Sequence, residues 1–86
     1  MLKIVFEKQS AKYLAKVDSN TYNKLIKAIN GLKDLNGDIK AMKGIKDTYR
    51  LKIYGYRIIF EYIRGEFVIR IITIAPRGDV YKKGGK

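Results

Sequence analysis

The stretch Tyr49-Arg50-Leu51-Lys52-Ile53-Tyr54-Gly55-Tyr56-Arg57-Ile58-Ile59-Phe60-Glu61-Tyr62 decides the fold. Its apolar and polar residues alternate with a period of two, the repeat of a β-strand. Tyr54-Gly55 interrupts the alternation with the form of a two-residue hairpin turn. In that register Ile53 faces Tyr56 and Lys52 faces Arg57. Alternate side chains then separate onto two faces. Tyr49, Leu51, Ile53, Tyr56, Ile58, Phe60 and Tyr62 make one apolar face, a floor on which amphipathic helices can pack. Arg50, Lys52 and Arg57 gather on the other, where Glu61 can offset one of the three. Like charges directly opposite each other across a hairpin are destabilising. A polyanion bound there gives a reason to keep them. The plainer alternative is a solvated face with scattered charges, and a three-residue turn would shift the register by one and dissolve the arrangement.

Working outward, a third strand follows a second candidate tight turn at Arg64-Gly65. It covers about residues 66–74, is almost continuously apolar, and fits a central strand covered at least partly on both faces. Pro76 ends it. Towards the N-terminus, Leu2-Lys3-Ile4-Val5-Phe6 has the composition of a strand. Ser10, Tyr13, Leu14 and Val17 recur at helical spacing in a first helix that ends near Asp18. Asp18 or Ser19 caps a second helix. There Tyr22, Leu25, Ile26, Ile29 and Leu32 form one apolar stripe, with Lys24, Lys27 and Lys33 off it. Asn36-Gly37-Asp38 stops that helix, and Gly37 suits a left-handed position at its end. Residues 39–47 are expected to be a loop or irregular edge whose Lys40, Lys43 and Lys46 extend a phosphate-binding rim or are simply solvated. The sum is an α+β fold with an N-terminal strand, an antiparallel helical hairpin and a three-stranded antiparallel meander. This makes a sheet of roughly four strands with the helices on one face. Residues 1–86 form a single domain, and residues 82–86 read as a flexible tail.

Composition narrows the chemistry. The 86 residues carry a formal net charge of +11 and contain neither cysteine nor histidine. Disulfides, thiolate metal sites and the commonest general base are therefore excluded. No metal or small-molecule cofactor is expected. The charge favours a nucleic-acid partner, since neutralising phosphates releases counterions. The basic residues are not confined to one amphipathic helix, which argues against a membrane surface. With no signal peptide and no apolar run of bilayer length, the expected location is the cytoplasm.

Several of these segments together resemble the RelE/ParE superfamily of bacterial toxins, in its RelE-like branch. The resemblance rests on the opening strand, the helical hairpin, Lys43-Gly44, Tyr49-Arg50-Leu51-Lys52, Gly55-Tyr56-Arg57-Ile58-Ile59-Phe60-Glu61 and Arg77-Gly78-Asp79-Val80-Tyr81. It implies that the first strand joins the last in parallel. It further implies a ribosome-dependent endoribonuclease that cuts mRNA in the ribosomal A site, silenced by a cognate acidic antitoxin. By the same resemblance Arg57 stabilises charge on the reacting phosphate, and Arg77 protonates the leaving group or stabilises the phosphate. Tyr81 is the base that activates the 2′-hydroxyl, and Arg50 and Lys52 orient the RNA and stabilise charge. Ala75-Pro76 departs from the glycine and basic residue that many relatives carry. Two other functions stay open: a ParE-like inhibitor of DNA gyrase, and a non-catalytic RNA-binding module that uses the basic face alone.

Overall fold

The computed structural model describes residues 2–76. Strand β1 (Lys3–Phe6) leads into helix α1 (Lys8–Lys16) and helix α2 (Ser19–Gly31). Strands β2 (Asp38–Ala41), β3 (Thr48–Ile53), β4 (Tyr56–Ile63) and β5 (Val68–Pro76) follow. They form a five-stranded sheet in the order β1-β5-β4-β3-β2. β1 runs parallel to β5, and the remaining pairs are antiparallel. This is the expected α+β architecture with one strand added. The stretch 39–47, expected to be a loop or irregular edge, supplies all of β2 but its first residue, Asp38, and the strand pairs with β3 at the sheet edge. It is only four residues long, and Ile39 is the one large apolar residue in it, so alternation had almost no length over which to show.

Helix α1 begins after Glu7, and Val17 and Asp18, both in extended backbone, separate it from α2. Asp18 is the residue before the first turn of α2, as expected. The hydroxyl and amide of Thr21 beside its carboxylate hold it below the ordinary carboxylate range. The end of α2 differs from the expectation for Gly37. A short 3₁₀ turn, Leu32–Asp34, continues the helix, and Leu35 takes the left-handed position at φ 56°. The Asn36 amide donates to the Gly31 carbonyl (3.0 Å) and the Leu35 amide to that of Leu32 (2.9 Å), a Schellman closure. Gly37, at φ 120°, is needed one step later, where the chain turns into β2. A Cβ on it would lie 2.7 Å from Cδ1 of Leu51.

The helices cover one face of the sheet. Leu14, Leu25, Ile29 and Leu32 meet Leu51, Ile58, Phe60, Ile69, Ile71 and Ile74 in a continuous buried core. Burying one such side chain stabilises by about 1.5–3 kcal/mol. Tyr49 stacks on Phe60 at the core's margin, with ring centroids 5.6 Å apart. Ile69, Ile71 and Ile74 all face this core although 71 and 74 are three residues apart. A β-bulge explains it: Ile59 pairs with Thr73, but Phe60 pairs with Ile71, leaving Ile72 unmatched on β5. The residues of β5 that do not face this core, Val68 and Ile72 among them, are still half-buried, in keeping with a strand covered at least partly on both faces.

The first turn of α1 ties itself to the edge of β5. The Glu7 amide donates to the Ile71 carbonyl (2.8 Å), and the buried Ser10 hydroxyl lies 2.9 Å from that same oxygen. Beyond the end of β1, the Gln9 side-chain amide takes the place of a paired strand. Its Oε1 accepts from the Ile74 amide (3.2 Å) and its Nε2 reaches the Ile74 carbonyl (3.5 Å). Backbone groups that β1 is too short to reach are thereby satisfied.

The two hairpin connections divide. Tyr54 (φ 48°) and Gly55 (φ 79°) are both left-handed, as a two-residue type I′ turn requires. Arg64-Gly65, read as a tight turn, is instead the start of a four-residue connection. A 3₁₀ turn over Arg64–Glu66 ends at Phe67, which is left-handed at φ 55°, and Ile63 pairs with Val68. Gly65 keeps a negative φ, so its conformational freedom is not what makes this turn.

Candidate nucleic-acid interface

The open face of the sheet is built from the strand registers. Lys52 lies opposite Arg57, as the two-residue turn predicts, and Arg50 lies opposite Ile59. On the other side of β3, Lys40 of β2 lies opposite Arg50 and Asp38 opposite Lys52. Four cations from three adjacent strands therefore occupy one contiguous patch. Lys40 joins the group through a strand that sequence alone did not reveal. Ala75 and Thr73 of β5 complete the floor, opposite Arg57 and Ile59.

Arg50, Lys52 and Arg57 are half-buried. Among the described residues none of the three forms an ion pair, even with Asp38 in register beside Lys52. The Nε atoms of Arg50 and Arg57 are shut away from solvent without a hydrogen-bond partner. Long cationic side chains commonly bury the apolar length of their stems in this way. Removing part of a guanidinium from water without an acceptor is costly. A phosphate offered to the remaining N–H groups would restore charge-assisted hydrogen bonding. The patch is thus a set of positive charges assembled in advance of any anion.

Glu61 does not offset this patch as expected. It lies opposite Arg70 of β5, and its Oε1 accepts from Arg70 Nη1 at 3.2 Å. The Nε of the same arginine is 3.3 Å from Oε2 of Glu7. Lys43 and Lys46 sit exposed in the connection between β2 and β3, outside the strand registers that define the face. Arg77, Tyr81 and the tail at 82–86 lie outside the described residues. Among the described residues no group of carboxylates could hold a metal ion, and no helix is long and apolar enough to cross a membrane.

A family model described as the ParE toxin of type II toxin-antitoxin systems, parDE, matches residues 4–81. The chain belongs to that family of toxins, within the RelE/ParE superfamily. Its fold is that of RelE structures. The isolated E. coli RelE toxin superposes with a TM-score of 0.77 at 21% identity, covering 98% of this chain and 95% of that one. The archaeal RelE–RelB complex from Pyrococcus horikoshii gives 0.73 at 23% identity, covering 90% and 96%. The RelB–RelE antitoxin–toxin complex from Methanococcus jannaschii gives 0.71 at 25% identity, covering 92% and 96%. No curated protein matches the chain in sequence. The parallel union of β1 with β5, implied by the RelE/ParE resemblance, is present in the sheet.

Proposed function

We propose that this RelE/ParE toxin is a ribosome-dependent endoribonuclease that cuts mRNA in the ribosomal A site and so arrests translation in the cytoplasm. The observation that carries the reading is the group Arg50, Lys52 and Arg57, held together by register and free of carboxylate partners among the described residues. In this reading the 2′-hydroxyl of the RNA attacks the adjacent phosphorus. The new bond closes a 2′,3′-cyclic phosphate, and the bond to the 5′-oxygen breaks. Tyr81 as phenolate takes the 2′ proton. Arg57 and Lys52 stabilise the charge that accumulates on the phosphate, and placing such charge in advance is usually the largest catalytic contribution. Arg77 stabilises the departing 5′-oxygen, which takes its proton from water. Arg50 and Lys40 hold flanking phosphates. Ala75, which pairs with Arg57, precedes Arg77 by two residues in sequence.

A site without histidine is weak unless the substrate is held in line, and orientation can supply several kcal/mol. The ribosome supplies it here. Primer extension on an mRNA translated in a defined bacterial system tests the proposal. Discrete cuts within A-site codons are expected only when ribosomes are present, fading with Arg57→Ala and Tyr81→Phe. Efficient cutting of ribosome-free RNA would remove the ribosome from the mechanism, and inhibition without cuts would reject the nuclease.

The protein partner is an acidic antitoxin. Support comes from the family's type II toxin-antitoxin description and from the net charge of +11. Two depressions that share Phe6 and Ile26, one lined also by Leu2 and Ile4 with Lys3 and Lys33, the other by Leu14 and Tyr22, offer it apolar surface. A second reading, inhibition of DNA gyrase, is favoured by the ParE description of the matching family. A supercoiling assay with purified gyrase separates the two: inhibition there, with intact mRNA in the translation assay, selects it.

A further inference from the structure

We propose that Arg70 is a positioning residue that keeps the cation face open by holding Glu61 away from Arg50. Glu61 points to the open face and lies opposite Thr48 on β3. The next residue of β3 on that face is Arg50, so Glu61 and Arg50 are diagonal neighbours, a separation that long side chains span. An arginine whose Nε is buried without a partner is the natural counter-ion for that carboxylate. The structure shows Glu61 turned the other way, onto Arg70 at 3.2 Å. Arg70 also holds Glu7 at 3.3 Å, so one guanidinium occupies both carboxylates at this end of the face.

The bulge in β5 makes this possible. With Ile59 opposite Thr73, an unbroken ladder would set Glu61 against Ile71. The unmatched Ile72 shifts the pairing so that Glu61 meets Arg70. Stability alone does not account for the device. The Arg70, Glu61 and Glu7 side chains are 41%, 32% and 47% exposed, and ion pairs this open to water contribute little. What the pairing does is leave Arg50 uncompensated, which matters only if an anion binds there. The inference therefore rests on the RNA reading of the face.

The test is fluorescence anisotropy with a labelled short single-stranded RNA. Wild type, Arg70→Gln, Glu61→Gln and the double variant are titrated across a range of salt, with thermal melts to confirm folding. Freed by Arg70→Gln, Glu61 neutralises Arg50. Binding weakens roughly fivefold and the dependence on log salt loses about 0.7 of slope, one phosphate contact on a single strand. Adding Glu61→Gln restores the affinity and slope of wild type. Glu61→Gln alone, with Arg70 in place, should bind like wild type, because the carboxylate it removes was already turned away from Arg50. If it instead strengthens binding by the factor that restores the double variant, the effect is one of net charge alone and the proposal is overturned. A double variant as weak as Arg70→Gln, the outcome for a purely structural Arg70 or one that touches RNA itself, overturns it too, as does an Arg70→Gln variant that binds like wild type. Absence of RNA binding by wild type is a different failure, which refutes the RNA reading of the face and this inference with it.

Discussion

Replacing Arg57 with glutamine should stabilise this protein while abolishing its activity. Lys52 and Arg57 are directly paired across β3 and β4, and neither has a carboxylate partner among the described residues. In such a pair the Cβ atoms are about 5 Å apart and the charged ends can splay to about 7 Å. Coulomb repulsion at that distance is roughly 0.6 kcal/mol in water-like surroundings and roughly 2.4 kcal/mol at an effective dielectric constant of about 20. Screening at physiological ionic strength reduces this to roughly 0.25–1 kcal/mol. Glutamine retains the three carbons of the stem and puts a neutral amide where the buried Nε stood, so what the substitution removes is the charge. For a domain of this size about 1 kcal/mol moves the melting temperature by roughly 4–8 °C. The expected gain is therefore about 1–8 °C at physiological salt, larger at low salt and vanishing at high salt. Thermal melts followed by circular dichroism at several salt concentrations measure it, beside the ribosome-dependent cleavage assay. A variant that melts lower than wild type at low salt would refute the reasoning, as would a gain indifferent to salt. Either would mean that the cations are compensated within the fold and are not held ready for an anion.

Three further outcomes follow from local geometry. Tyr54→Asn should raise the melting temperature by about 2–4 °C. It relieves roughly 1 kcal/mol of left-handed strain at φ 48° and gives up about 0.5 kcal/mol from Lys24 Nζ, 5.4 Å above the tyrosine ring. Gly37→Ala should cost about 1–3 kcal/mol in urea unfolding, because the added carbon meets Leu51 at 2.7 Å on a backbone at φ 120°. Asp18 binds its proton less readily in the folded state than in the unfolded chain, since its pKa is lowered from 3.8 by Thr21. Its stabilisation is present at neutral pH and is lost as the pH falls below about 4 through the lowered value. Melts of wild type and Asp18→Asn should accordingly differ at neutral pH and converge in acid.

The hairpin from Tyr49 to Tyr62 was legible because every residue in it agrees with one register. Alternation selects the faces, Tyr54-Gly55 fixes the turn, and Lys52 opposite Arg57 follows without any tertiary information. The two helices were legible for a similar reason: Ser10, Tyr13 and Leu14 in the first and Tyr22, Leu25, Ile26 and Ile29 in the second recur at helical spacing, and Leu14, Leu25 and Ile29 reach the core. Strand β2 was not legible. Asp38–Ala41 is a strand because β3 offers it an edge to pair with, and no local pattern of that length states it. At Arg64-Gly65 the familiar turn dipeptide misleads, because the connection closes at Phe67 in a conformation that an aromatic residue adopts only under tertiary constraint.

Local sequence determined the period of each element, the apolar face of the hairpin and the assembly of Arg50, Lys52 and Arg57 on the opposite face, because all of these follow from nearest neighbours and one tight turn. Tertiary structure decided what surrounds that face. The bulge at Ile72 depends on how β5 meets β4 residue by residue, and it gives Glu61 to Arg70 instead of to the cations. Lys40 reaches Arg50 only because an edge strand forms, and the free backbone of Ile74 is met by Gln9 from 65 residues away in sequence. Partners so far apart along the chain leave no periodic trace in it, since their pairing is selected by the packing of the whole sheet.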